Sequence, residues 1–497
     1  MTTQSMFDVR QFHENNHLIQ WVQTPSGKLA LWVVATLLLL PSNQTILVPL
    51  FLGLVTIWPE RRWLFVLLAA PLVALDRFVE PLDGLFHKAD PLMGLFAALP
   101  PILVVLATVL LCIVAARNFE RLPQFVRRHP LLTLHLLTWC AIIVYWQAFP
   151  KDTVWETLAL SALPFVVWRC CYIMLSGQRG SAKHSRFTDH LFYALPVFGG
   201  SNVPYGKGYD YLRRCWAADP ESMARSQLAG IKLLILYWLW VAARQLLRAI
   251  TYGDYRGWLG FANDYQIADT INLGIPRLGE LVAMSDTLAP SLPIAWMSVF
   301  LELIQVTLSV AIIGHAVIGS LRLFGFNVFR NTYKPLFAES IVEFWNRFYY
   351  YFKELLVEFF FYPVYTRYFR SHQRLRIFAA IFASACLGNI YYHVLRDFRD
   401  LYGLSLANAF ASVGPRAFYT FLLALGIYFS MMAQTRKRGA PQPAVNHWSE
   451  PLHQLRRMAG VWLFYALIHI WNVSSSKADF GSRTAFFFSL FGLDIQF

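Results

Sequence analysis

A histidine inside an apolar helix is the first place to look for chemistry in this chain. His393 closes the apolar run 378–393, and Asn389 lies one helical turn before it. An ionisable side chain at membrane depth is costly and marks a functional site by default. A neutral imidazole in a dry, partly polar setting can take a proton from an attacking hydroxyl. Asn389 would orient the ring or hold a substrate. The competing reading has His393 reaching a nearby interface, since Arg396 and Asp397 follow at once. His315, flanked by Gly314 and Gly319 in another apolar run, is the runner-up and reads as a packed, hydrogen-bonded core histidine. Glu302 and Gln305 precede it on the same expected helix, but the separation of Glu302 from His315 is no stacking interval. Arg169, a charge within a third run, reads as reaching the cytoplasmic interface or pairing with Glu156, Glu302 or a donor phosphate.

Residues 319–347 are polar and specific where the rest of the chain is apolar. Glu343 and Arg347 are one helical turn apart, with Glu354 further along the same pattern, while Phe344, Phe348, Tyr351 and Phe352 share another face. A helix of this kind lies at the membrane interface or dips between spanning helices. No GxSxG elbow, Walker A glycine loop or HExxH pair accompanies it. The six cysteines include no CxxC pair and sit mostly in apolar runs, so they read as buried thiols and point to no metal. A histidine base acting on a bound acceptor is the simplest chemistry left.

Positioning that histidine falls to membrane helices. Of 497 residues, 57% are hydrophobic and only 14% charged, against roughly 25% charged in soluble proteins. A spanning helix needs about 20 apolar residues. Candidate segments are 29–41, 44–59, 63–75, 92–116, 130–148, 154–175, 229–249, 295–318, 374–396, 414–433 and 455–473. The expectation is therefore an all-α polytopic membrane protein with about 11 transmembrane helices plus re-entrant, amphipathic helices. The organisation divides into a polar segment 1–28, membrane helices 29–175, a core 176–400, and C-terminal helices and tail 401–497. No cleavable signal sequence is read in the polar start.

The net charge of +14 is no nucleic-acid signal, because the basic residues fall at the ends of apolar runs. Arg61 and Arg62, Arg117 to Arg128, Arg179 to Arg186, and Arg436 to Arg438 fall on one side if the segments alternate, and that side should be cytoplasmic. The N-terminus is then inside. The acidic loop 250–293, with Asp254, Asp264, Asp269, Glu280 and Asp286 against Arg256 and Arg277, faces out.

The central region carries an ordered set of motifs. Arg322-Leu323-Phe324-Gly325-Phe326 is followed by Asn331-Thr332-Tyr333-Lys334-Pro335, then by Ser340-Ile341-Val342-Glu343-Phe344-Trp345-Asn346-Arg347, then by His393. Upstream stand Phe192 to Pro196, Gly199, Gly200 and Pro204. Over residues 190–400 this order resembles the membrane-bound O-acyltransferase (MBOAT) family, in a divergent bacterial-type form. Two positions depart from the family's pattern. Tyr349 stands where many members have a second histidine, and Val394 follows His393 where glycine is usual.

The resemblance implies a ring of tilted helices around a recessed centre, with His393 as general base. It implies a cytoplasmic thioester donor, acyl-CoA or an acyl carrier protein, and no tightly bound cofactor. The acceptor would be a hydroxyl of an envelope or extracellular polysaccharide, glycan or lipid. Asn331, Asn389, Tyr349, Tyr392, Glu343 and Arg347 would form the substrate site, the last two as an ion pair holding it. The implied location is a bacterial cytoplasmic (inner) membrane, among membrane lipids, with envelope or periplasmic partner proteins delivering the acceptor. Two other classes stay open: an inert scaffold or export subunit on the same fold, motivated by Tyr349 and Val394, and a transporter. Against the transporter, no repeated half is visible, and Glu302 is the one clear carboxylate within a run.

Overall fold

The computed structural model describes residues 12–39, 47–65, 68, 103, 106–148, 154–194, 207–255, 271–283, 291–401, 404–438, 450–473 and 478–495. These residues are predominantly helical, and no strand occurs among them. The expected segment at 63–75 lies largely outside the described residues, and so does the first half of 92–116. So do Pro196 to Pro204, Arg256, Asp264, Asp269 and Asp286.

Helices α1 (Asn16–Gln23) and α2 (Pro25–Leu39) meet at a bend of 98°. They are followed by α3 (Leu47–Ile57), α4 (Pro130–Ala148) and α5 (Val154–Gln178). The long helices are α6 (Pro220–Tyr252), α7 (Leu292–Leu323), α10 (Gln373–Arg396) and α11 (Leu406–Arg438). Between α7 and α10 stand the short helices α8 (Ile341–Phe348) and α9 (Tyr350–Leu356). Helices α12 (Glu450–His469) and α13 (Phe480–Ser489) complete the chain. Among the described residues four helices are long and apolar enough to cross a membrane: α6, α7, α10 and most of α11. A fifth candidate arises if the bent pair α1–α2 counts as one span. Long apolar helices of this kind fit a membrane-embedded protein.

The chain divides into two compact units. One comprises residues 1–236 and 315–330; the other comprises residues 237–314 and 331–497. His315 belongs to the first and His393 to the second.

In the first unit, the Arg322-to-Phe326 motif is a helix terminus. Gly325 sits in the left-handed region with φ +83°. The Gly325 N–H bonds to the Arg322 carbonyl and the Phe326 N–H to the Leu321 carbonyl, both at 3.0 Å. This pair of bonds closes the last turn of α7 as a Schellman cap, for which glycine carries no Cβ penalty. The Arg322 guanidinium donates twice to the Val328 carbonyl, at 2.9 and 2.7 Å, and fixes the chain beyond the cap. Buried Arg62 donates to the Gly325 and Ala217 carbonyls and lies 4.0 Å over the Trp216 ring. Arg169, read as interfacial or charge-paired, is buried and donates to the Tyr193 carbonyl at 2.8 Å. His315 is buried, as expected of a core histidine.

In the second unit, α8, α10, α11, α12 and α13 share one apolar core that includes Phe344, Ile381, Leu423, Tyr465 and Phe486. Tyr465 of α12 stacks on Phe344 with ring centres 3.9 Å apart, and its hydroxyl donates to the Ile341 carbonyl at 2.9 Å. A buried hydroxyl needs such a partner, and an aromatic pair contributes about 0.5–1.5 kcal/mol beyond area burial. Together they brace the first turn of α8.

Candidate active site

The site is assembled around the break between α8 and α9. The amphipathic pattern from Glu343 to Glu354 predicts one continuous helix, but the backbone turns at Tyr349, with φ −144° and ψ 78°. The reason lies upstream in the Asn331 motif. The Asn331 carbonyl accepts from the Tyr350 N–H at 2.8 Å, and its side-chain Oδ1 accepts from the Tyr351 N–H at 3.3 Å. A helix start leaves orphan N–H groups. Tyr349 supplies no side-chain cap for α9, so Asn331 does so from across the loop. The Tyr333 N–H donates to the Arg347 carbonyl at 2.8 Å, and Thr332 Oγ1 to the Phe348 carbonyl at 2.9 Å. Residues 331–333 are thereby laced to the end of α8.

The start of α8 is fixed just as closely. Ser340 is its N-cap and accepts from the Glu343 N–H at 3.2 Å. The Glu343 carboxylate reaches back to the Glu339 N–H at 2.7 Å and pairs with Arg347 at 2.5 Å. This is close to a capping box, with the reciprocal bond one residue earlier. Gln434 of α11 donates to Ser340 Oγ at 2.8 Å, and Arg457 of α12 pairs with Glu339 at 2.8 Å. Glu343 and Arg347 therefore brace the 334–343 turn.

Two π-helical segments shape the other wall. Val357–Phe361 is π-helical and leads into Tyr362–Arg367. Pro363 follows at once; it has no N–H, and its ring would collide with the carbonyl four residues back, so the widened turn relieves it. Within α10, Phe382–Gly388 is π-helical, and the Asn389 N–H bonds to the Ser384 carbonyl five residues back. Ser384 Oγ donates to the Ala380 and Ile381 carbonyls at 3.0 and 3.1 Å, competing with the helix's own bonds. A π segment adds a residue to one turn and occurs often at functional sites. Here it rotates the last turns of α10, carrying Asn389, Tyr392 and His393, by about 100° relative to a regular helix.

That rotation puts His393 against an aromatic wall from α9. Phe352 lies 6.1 Å from the His393 ring, 4.6 Å from Tyr392 and 5.5 Å from Tyr349. Tyr392 meets the His393 ring edge-on at 5.6 Å. His393 Nδ1 and Tyr349 Oη, on two rings that flank Phe352, are buried yet have no hydrogen-bond partner among the described residues. The same holds for Asn389 Oδ1, one turn before His393, and for Asn331 Nδ2, which a Cβ on Gly314 of α7 would meet at 3.0 Å. Buried polar groups are nearly always paired, so each of these orphans needs an explanation. A proton acceptor and a hydroxyl on two rings that share Phe352, with an amide one turn away, can bind and deprotonate a hydroxyl-bearing substrate.

Of the sequence-derived candidates, His393, Tyr392 and Tyr349 meet at this wall through Phe352, and Asn389 lies one turn before His393 on α10. Asn331 is bonded to the start of α9, and Glu343 and Arg347 pair with each other on α8. Sequence reasoning missed Phe352 as the ring common to Tyr349 and His393, because it assigned Phe352 to the face of Phe344 and Phe348. It also missed a charge cluster just past His393. Arg396 grips both carboxylate oxygens of Asp397, at 2.6 and 2.8 Å, and Arg416 of α11 reaches the same carboxylate at 2.5 Å. Burial pushes the Asp397 carboxyl up, but the two guanidiniums outweigh it and hold it below the usual carboxylate range. The signal was present in the adjacent Arg396 and Asp397; Arg416 lies on another helix and left none. Among the described residues no group of three or more histidine, cysteine, aspartate or glutamate side chains is placed to hold a metal ion.

No protein-family model matches the chain, and no curated protein matches it.

Proposed function

We propose that the chain is a membrane-bound O-acyltransferase of MBOAT type, with His393 as its general base. The observation that carries this reading is the buried, unpartnered His393 Nδ1 within the aromatic wall, with the equally unpartnered Tyr349 hydroxyl on the other ring that meets Phe352 and the Asn389 side-chain carbonyl one helical turn away. The motif resemblance across residues 190–400 supports it. In the reaction, the imidazole takes the proton of an acceptor hydroxyl as the oxygen attacks a thioester carbonyl. The tetrahedral intermediate collapses, the C–S bond breaks, and the imidazolium returns its proton to the departing thiolate. Tyr349 and Asn389 would bind the acceptor or the developing oxyanion, and Tyr392 would orient the ring. Asn331, Glu343 and Arg347 act by holding the α8–α9 break.

The reading includes about 11 membrane spans in a ring around this centre. It places the protein in a bacterial inner membrane with its N-terminus in the cytoplasm. The donor is acyl-CoA or an acyl carrier protein, met at the basic cytoplasmic loops. The acceptor is an envelope or extracellular glycan or lipid, brought by partner proteins. Purified protein given radiolabelled acyl donor and an envelope extract tests this: transfer of label to extract material supports the reading, and none across donors refutes it.

A further inference from the structure

We propose that Arg396 and Arg416, which share Asp397 just beyond His393, recognise a negative charge on the acceptor: a carboxylate or phosphate borne by a sugar. The inference rests on the acyltransferase reading and names the class of substrate. Two guanidiniums face one carboxylate here. The C-terminal end of α10 adds about half a negative charge, so the cluster stays net positive. Part of its donor set is uncommitted. Arg396 spends Nε and Nη2 on Asp397, while Arg416 spends Nη1 on Asp397 and Nε on Asn472 Oδ1 at 3.4 Å. The remaining terminal nitrogens, Arg396 Nη1 and Arg416 Nη2, carry no hydrogen bond to the described residues. The three side chains are 26%, 25% and 32% exposed for Arg396, Asp397 and Arg416, so an incoming group can reach them.

The cluster is also built to stay in place. Buried Arg483 of α13 donates to the Ile470 and Val473 carbonyls at 2.8 and 3.0 Å, fixing the turn that carries Asn472. The Asp397 N–H bonds to the His393 carbonyl at 2.8 Å, which ties the cluster to the turn that bears the base. Planar guanidinium forks match carboxylate and phosphate geometry and favour them over neutral hydroxyls. An anion drawn to this point would bring a neighbouring hydroxyl of the same sugar toward His393.

The test is calorimetric binding in detergent of two probes, the methyl glycosides of glucuronic acid and of glucose, which needs no turnover. Wild type should bind the charged sugar about tenfold more tightly. Arg416→Gln should abolish that preference, His393→Ala should keep it, and Asp397→Asn, which frees both guanidiniums, should keep or strengthen it. Equal binding, no binding of either sugar, or loss of preference in Asp397→Asn as well would overturn the proposal, the last marking a structural ion pair. Competitive displacement of the charged sugar by phosphatidylglycerol micelles would assign the cluster to a lipid headgroup and overturn it too. Preference seen without acyl transfer to any acceptor would refute the acyltransferase reading and leave anion recognition standing.

Discussion

Gly388 lies flat against the Phe360 ring: a Cβ built on Gly388 would sit 2.6 Å from two carbons of that ring. The two residues belong to the two π-helical segments, so the glycine is what lets these widened turns meet. Gly388→Ala should therefore lower stability by about 1–3 kcal/mol, the range for overpacking a filled core. Thermal unfolding in detergent measures it, and Phe360→Ala in the same chain should recover part of the loss. An unchanged midpoint in Gly388→Ala would mean that the two segments do not touch.

Asn331 was expected to hold substrate, and its geometry gives it a second task as the remote cap of α9. Asn331→Ala removes the acceptor for the Tyr351 N–H and should cost about 0.5–2 kcal/mol. The same unfolding measurement decides. Loss of acyl transfer with no loss of stability would instead make Asn331 a substrate contact alone.

Tyr349 separates binding from structure cleanly. Its hydroxyl is buried without a partner among the described residues. Removing such a group relieves an unmet desolvation cost of about 1–3 kcal/mol. Tyr349→Phe should unfold no earlier than wild type, while acyl transfer falls by about tenfold if the hydroxyl donates a charge-assisted hydrogen bond to substrate. Full activity in Tyr349→Phe would remove this residue from the site.

The first unit carries a pH sensitivity away from the proposed chemistry. His190 is buried, and its Nε2 lies 2.5 Å from Ser185 Oγ, which itself donates to the Ala182 carbonyl. Burial lowers its pKa below the ordinary 6.5. The unfolded chain then binds a proton more readily than the folded one, so stability falls as pH drops below about 6.5. Unfolding midpoints measured from pH 7.5 to 5 should decline less steeply in His190→Gln than in wild type. Parallel slopes would contradict the assignment.

Much of the helical plan was legible in the sequence, since apolar runs near 229–249, 295–318, 374–396 and 414–433 coincide with the four long helices. The Glu343–Arg347 pair was legible too, because helical spacing alone brings those charges together. The break at Tyr349 was not, since the side chain that causes it is Asn331, far back in the chain. Nor was the facing of His393. A period of 3.6 residues carried across 374–396 misplaces everything beyond Ser384, where Oγ bonding and Gly388 admit one extra residue per turn. Arg416 entered the cluster through packing of α11, which no local pattern encodes.

The central claim is most directly tested by acyl transfer from radiolabelled acyl-CoA or acyl carrier protein in purified wild type and His393→Ala, with unfolding curves run alongside. Loss of a general base should lower turnover by about 10²–10⁴-fold while the unfolding midpoint stays within a few degrees of wild type. Transfer at the wild-type rate in a folded His393→Ala protein would contradict the account.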